Sequence, residues 1–180
     1  MTTPNDSVIA RTERLLIRPW RTEDAPRLLD ILSRVEVAMW LGDAEPVLMK
    51  DLDEARAAIG RYEDRSSTPP LGFWAVEVRE TGQVAGSVLL LTLPNAEDGE
   101  VEIGWHLHPD CWGRGYASEA AAAVLARGFT AGLPEILALT HLDNWPSQGV
   151  ARKIGMEPLG VMEKWYEGPS QVFRASRPDA

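Results

Sequence analysis

The sequence predicts a mixed α+β fold, with a mostly antiparallel central sheet of about six to seven strands flanked by about four helices. Three observations carry that expectation. Three consecutive strand-like segments are joined by turns, as antiparallel neighbours are, and the third of them alternates its apolar residues. Two early segments place apolar residues at helical spacing. Late in the chain an alanine-rich helical segment is followed by a strand, a helix and two closing strands, so helices and strands interleave.

Taken in order, Leu15 to Trp20, LLIRPW, is an apolar run whose proline suits an opening strand that stops at an edge or bend. Thr22 or Asp24 can cap a helix carrying Ala25, Leu28, Leu29, Ile31 and Leu32, and Asp51 to Tyr62 repeats the pattern through Leu52, Ala55, Ile59 and Tyr62. Ser66 to Pro70 reads as a loop. Phe73 to Arg79 and Val84 to Leu93 then make a hairpin about Glu80-Thr81-Gly82. After the turn from Pro94 to Gly99, Val101 to His108 is the third strand. Its period of two puts Val101, Ile103, Trp105 and Leu107 on one face and Glu102, Gly104, His106 and His108 on the other. From Gly115 a helix with Ala117, Ala121, Val124, Leu125, Gly128 and Phe129 along one side runs to the Gly132-Leu133-Pro134 stop. Ile136 to Leu142 is a strand, Pro146 to Ile154 a helix stopped by Gly155, and Pro158 to Val161 and Gln171 to Ala175 are closing strands.

Length and composition set the outer limits. With 180 residues, 44% hydrophobic positions and a mean hydropathy of −0.19, the chain suits a single domain over 1–180 with its core at about 12–176. Met1 to Ser7 shows neither a basic start nor an apolar stretch, so a cytoplasmic location is expected. No apolar run approaches the roughly 20 residues of a membrane span, and no membrane partner is expected. The lone Cys111 allows no internal disulfide, and His106, His108 and His141 lack zinc-ligand spacing, so no metal is expected. A net charge of −9 disfavours nucleic acid and favours a cationic partner, although solubility alone also accounts for it.

The sharpest local signal is Trp112-Gly113-Arg114-Gly115-Tyr116-Ala117, between a strand and a helix. Two glycines let the backbone turn tightly and bring amides close to a ligand, and the unpaired N–H groups of a helix start attract phosphate oxygens. The string alone also fits a turn in which glycine merely relieves strain. A P-loop is excluded because no Lys-Ser or Lys-Thr pair closes the motif. A dinucleotide fingerprint is closer, since Gly113-x-Gly115-x-x-Ser118 lacks only the third glycine and Glu135 lies at about the distance of a ribose-binding acid. Against a nicotinamide-dependent oxidoreductase, Glu135 precedes its strand and too little sequence follows for a doubly wound sheet.

The segments VEIGWHLHPDCWGRGYASEA (Val101 to Ala120) and THLDNWPSQGVARKIGMEPL (Thr140 to Leu159) closely resemble the GNAT superfamily of N-acetyltransferases, in particular its ribosomal-protein (RimJ/RimL-like) branch. The opening TERLLIRPW is similar to the start of that branch, so the likeness spans nearly the whole chain. The superfamily's pyrophosphate motif, Gln/Arg-x-x-Gly-x-Gly/Ala, is met at Gly115 and Ala117, while Trp112 stands in its first position. The resemblance implies a GNAT fold and acetyl-CoA as co-substrate, its pyrophosphate held by backbone amides of Gly113, Arg114, Gly115, Tyr116, Ala117 and Ser118. It further implies that main-chain groups of His106, Leu107 and His108 pair with pantetheine, and that Asn144 and its helix border that arm. Gly149 departs from the branch, where a long polar residue is usual, so Arg152 or Lys153 is the alternative contact for the 3′-phosphate.

Acetyl transfer to an amine needs a neutral nucleophile, a site for the developing oxyanion and a route for the thiolate to leave. A lysine amine of pKa about 10.4 is charged at neutral pH, whereas an α-amine near 7.7 is easily deprotonated. The implied acceptor is the amine of a protein N-terminus, a peptide or a small molecule. The resemblance points to Glu102 as general base, the alternative being an ordinary surface carboxylate. Ser147 could protonate the thiolate or cap its helix. Tyr166 is the alternative acid, or a packing residue. Cys111 is rejected as a nucleophile for want of a base beside it, and His141 reads as a hydrogen-bonded structural residue. Trp40, Trp74 and Trp145 could line an acceptor pocket or serve as packing. A non-catalytic acyl-CoA-binding module is the alternative to an enzyme, and monomer and homodimer are both open.

Overall fold

A computed structural model describes residues 8–42 and 45–178; Met1 to Ser7, and the expectation drawn from them, lie outside that range. Eight strands form one sheet: β1 (Ala10–Arg11), β2 (Leu15–Pro19), β3 (Gly72–Val78), β4 (Val84–Thr92), β5 (Val101–Leu107), β6 (Glu135–Thr140), β7 (Glu157–Met162) and β8 (Ser170–Ser176). Their order is β1-β2-β3-β4-β5-β6-β8-β7, antiparallel throughout except where β5 runs parallel to β6. That excludes the doubly wound parallel sheet on which a dinucleotide reading of the glycine loop would depend.

Five α-helices accompany the sheet: α1 (Ala25–Leu32), α2 (Val35–Ala38), α3 (Leu52–Arg65), α4 (Tyr116–Thr130) and α5 (Trp145–Lys153). α1 and α3 cover one face through Leu28, Ile31, Ala55 and Ile59, packed on Phe73, Ala75 and Val84. α4 and α5 cover the other, where Ala121, Val124 and Ala151 meet Val88, Leu90, Ile103 and Ile136. The alternation read in β5 holds: Val101, Ile103 and Leu107 point under α4. Gly128 lets α4 lie flat on the sheet, because a Cβ there would sit 2.6 Å from Ile136 Cδ1.

Several boundaries differ from the sequence expectation, each for a local reason. β1 and α2 were not foreseen; at two and four residues they are too short to show a period. Asp24 does not cap α1 with its side chain, because the buried Arg18 takes that carboxylate through bonds of 2.7 and 3.0 Å. β6 ends at Thr140, two residues early, where a turn closes with Asn144 N–H donating to His141 O. His108 lies beyond β5 and starts a 3-10 turn, accepting from Asp110 N–H through Nδ1.

Candidate active site

β5 and β6 are partners at Glu102 and Leu137 and at no later pair, so their C-terminal ends diverge. His108 N–H donates to Ala85 O, and by the alternation of antiparallel pairing the even-numbered residues of β5 bond β4. The main-chain groups of Trp105 and Leu107 therefore face the gap, and Leu107 C=O accepts the indole N–H of Trp112 at 2.8 Å. A cleft of about 1460 Å³ fills this gap and continues from the glycine loop to Tyr62 and Phe73 on the α3 side of the sheet.

At one end of the cleft the glycine loop turns into α4. Gly113 and Gly115 have φ of 72° and 78°, the left-handed region that glycine alone enters without strain. Gly115 is the N-cap of α4 and offers no side chain, so the first-turn amides of Tyr116, Ala117 and Ser118 have no intrahelical partner. A Cβ at Gly115 would sit 3.5 Å from Arg14 Nη2 and 3.8 Å from Lys153 Nζ, so two cations flank the turn. Unpaired amides, a helix dipole and paired cations suit a pyrophosphate, and the gap between two unjoined strand edges suits an extended, hydrogen-bonding arm. The residues present thus fit coenzyme A.

Glu102 lines the cleft from β5 with its carboxylate half-buried, accepting a 2.6 Å hydrogen bond from Tyr166 Oη. Burial raises its pKa above the usual carboxylate range, and the Tyr166 bond opposes part of that rise. His106 shares this face; burial lowers its ring to about 4, so the imidazole is neutral at physiological pH. Its Nε2 has no hydrogen-bond partner. Asn144 caps α5 by accepting from Ser147 N–H at 3.2 Å, which leaves the Ser147 side chain out of the capping role.

Of the candidate catalytic and coenzyme A-binding residues read from the sequence, all line this cleft except His108, Arg114 and Arg152. The His108 ring is buried beside Asp110 and Asp30, at 2.8 and 3.1 Å. Arg114 exposes its side chain and offers its carbonyl to Arg14 Nη1 at 2.9 Å. Cys111 is buried, and burial together with the Asp110 carboxylate pushes its thiol up to about 11, far from a thiolate nucleophile. Trp74 is core, Trp145 is exposed, and Trp40 lines the cleft edge-on to His141. His141 Nε2 bonds Gly42 O at 2.7 Å and so ties the segment after α2 to the end of β6.

Sequence reasoning missed the acceptor-side wall. Tyr62 stacks on Phe73 with ring centroids 3.9 Å apart, and both line the cleft beside Val37, Met39 and Arg65. Tyr62 and Phe73 were read only as a helix stripe and a strand residue, and nothing local marks them as pocket wall. Arg14 was missed as well, because its partners lie 100 and 105 residues away.

Residues 14–157 match the family model described as the acetyltransferase (GNAT) domain. The chain is 30% identical over 163 residues to the uncharacterized N-acetyltransferase p20 of Bacillus licheniformis, covering 90% of this chain and 89% of the relative. It superposes on an acetyltransferase from Agrobacterium tumefaciens with a TM-score of 0.74 at 26% identity, covering 97% and 95% of the two chains. Mycobacterium smegmatis RimJ, solved with a CoA disulfide, shares the fold at a TM-score of 0.74 and 18% identity, covering 92% and 85%. The chain thus belongs to the GNAT acetyltransferase family, and the enzyme class comes with it: acetyl transfer from acetyl-CoA to an amine.

Proposed function

We propose that this enzyme, as one domain spanning the chain, acetylates the α-amine of a protein N-terminus or peptide, or the amine of a small molecule, by direct attack within a ternary complex. The observation that carries the reading is the placement of Glu102: a half-buried carboxylate with a raised pKa, at the point where β5 and β6 part, in the cleft that the glycine loop and the aromatic wall also line. The likeness in fold to RimL, a ribosomal L7/L12 alpha-N-protein acetyltransferase, at a TM-score of 0.77 and 16% identity, supports a protein N-terminus among these acceptors.

When bound, acetyl-CoA would supply an activated acyl group; the amides of Tyr116, Ala117 and Ser118 beside Lys153 would hold its diphosphate, and the facing edges of β5 and β6 would hold its arm. Glu102 accepts a proton from the incoming ammonium, directly or through a water, and its raised pKa makes it a stronger base than an exposed carboxylate. Tyr166 holds that carboxylate in place through its hydroxyl. The Leu107 N–H, turned toward the gap, is positioned to receive the developing oxyanion. Ser147, freed from capping by Asn144, or Tyr166 protonates the departing thiolate. The acceptor enters against Tyr62, Phe73, Met39 and Trp40, with Glu36 and Glu102 favouring a cation.

The reading is tested by assaying release of free CoA across a panel of N-terminal peptides, polyamines, aminoglycosides and amino acids. Turnover with at least one amine, lost in Glu102→Gln while acetyl-CoA still binds, supports it. Acetyl-CoA binding with no amine turned over, and a slow thioester hydrolysis unchanged in Glu102→Gln, identifies a binding module instead.

A further inference from the structure

The short connection between β1 and β2 reaches across to the glycine loop and fastens it. Thr12 Oγ1 donates to Glu119 Oε1 at 2.6 Å, and Arg14 N–H donates to the same oxygen at 3.0 Å. The Arg14 guanidinium closes on Glu119 Oε2 through Nε at 2.7 Å and Nη2 at 2.6 Å, so both carboxylate oxygens are taken. The fork's remaining nitrogen, Nη1, donates to the Arg114 carbonyl at 2.9 Å, inside the loop. The guanidinium carbon lies 4.9 Å above the Tyr116 ring, and Nη2 lies 3.5 Å from where a Cβ of Gly115 would be. One side chain therefore touches or flanks Arg114, Gly115, Tyr116 and Glu119, the turn that presents the α4 amides.

Glu119 gives this contact a purpose. It sits in the first turn of α4, where a carboxylate is favoured by the helix dipole and would compete with a phosphate for the same positive potential. An unpaired Glu119 would thus repel the ligand the loop is built to hold. A planar, five-donor guanidinium can neutralise the carboxylate and bond the Arg114 carbonyl at once; an ammonium cannot span both. Arg14 is 45% exposed and its ion pair contributes little to global stability, so the network acts on the loop.

We propose that Thr12 and Arg14 form a staple that fixes the shape of the phosphate loop and cancels the charge of Glu119, making Arg14 a positioning residue for the diphosphate of CoA while Lys153 supplies the free cation. This rests on the acetyl-CoA reading above.

The test compares acetyl-CoA with S-acetylpantetheine, which lacks the diphosphate, using quenching of tryptophan fluorescence in the wild type, Arg14→Ala, Arg14→Lys and Arg14→Ala/Glu119→Gln. Arg14→Ala is expected to weaken acetyl-CoA on the order of ten- to a hundredfold and to leave S-acetylpantetheine unchanged. Arg14→Lys should recover only part of the loss. The double variant should bind acetyl-CoA more tightly than Arg14→Ala, because the uncompensated carboxylate is gone. Equal weakening of both ligands, or an Arg14→Ala variant that binds acetyl-CoA like the wild type, overturns the staple. A wild type that binds neither ligand overturns the acetyl-CoA reading itself, which keeps the two failures apart.

Discussion

The N-termini of α3 and α4 meet the same physical problem in opposite ways. Each helix start has amides with no intrahelical partner and a positive dipole end. At α3 the chain closes the account internally: Asp51 accepts from the N–H groups of Asp53 and Glu54, at 3.0 and 2.9 Å. At α4 the cap position holds Gly115, which has no side chain to offer, and the acid of the first turn, Glu119, is turned away onto Thr12 and Arg14. The first arrangement stabilises a helix; the second keeps a positive socket open to the cleft. A helix start left uncapped, with its nearby acid neutralised, is the arrangement an anionic ligand needs.

The comparison can be sharpened first at the chemical centre, which should be independent of the socket. Glu102→Gln is expected to lower amine turnover by about 10²–10⁴-fold while leaving acetyl-CoA affinity unchanged, measured by CoA release and calorimetry on the same samples. In the wild type the acid limb of the rate profile should lie above the ordinary carboxylate range, because burial raises the Glu102 pKa, and activity should be lost as pH falls through it. A limb at the ordinary value would remove burial from the account.

The most direct way to break the contrast is to make α4 resemble α3. Gly115→Asp installs a capping carboxylate in the socket, and aspartate tolerates the left-handed backbone better than most residues. Acetyl-CoA affinity should fall on the order of a hundredfold, because the carboxylate repels the diphosphate, at some cost in stability from a side chain held at φ 78°. The opposite exchange has a smaller effect: Asp51→Ala should cost about 1 kcal/mol of stability, read from a denaturant midpoint, and leave acetyl-CoA binding untouched. If removing the α3 cap altered ligand affinity, the two termini would not be independent.

A further, weaker effect concerns His106, whose ring is lowered from 6.5 to about 4 by burial. Between those values the unfolded chain binds a proton that the folded chain excludes, so its contribution to stability is lost as pH falls through that window. His106→Gln should flatten the difference in unfolding midpoint between pH 7 and pH 5 relative to the wild type.

How much was legible follows from where each signal resides. The strands from Phe73 to His108 declare themselves as short apolar runs bounded by turn residues, with β3 and β4 buried on both faces and β5 alternating, and the alanine-rich helix by the apolar side it packs on the sheet. The glycine loop is legible because left-handed backbone selects glycine at Gly113 and Gly115. The partnership of Tyr166 with Glu102 across 64 residues, and of Arg14 with Glu119 across 105, leaves no local trace; only the folded sheet brings β2, α4 and the segment after β7 together. Capping shows both outcomes. Asp51 was read as a helix start and is a cap, whereas Asp24 was diverted by the buried Arg18 and Ser147 was displaced by Asn144. A capping side chain goes to the stronger partner, and the sequence does not show who its competitors are.

The central claim is that an uncapped helix start holds the diphosphate of acetyl-CoA. Calorimetric titration of acetyl-CoA into the wild type and into Gly115→Asp tests it most directly: one saturable site per chain in the wild type, weakening as salt rises, and little or no heat in the variant. No binding to the wild type, or equal affinity for a correctly folded variant, would contradict it.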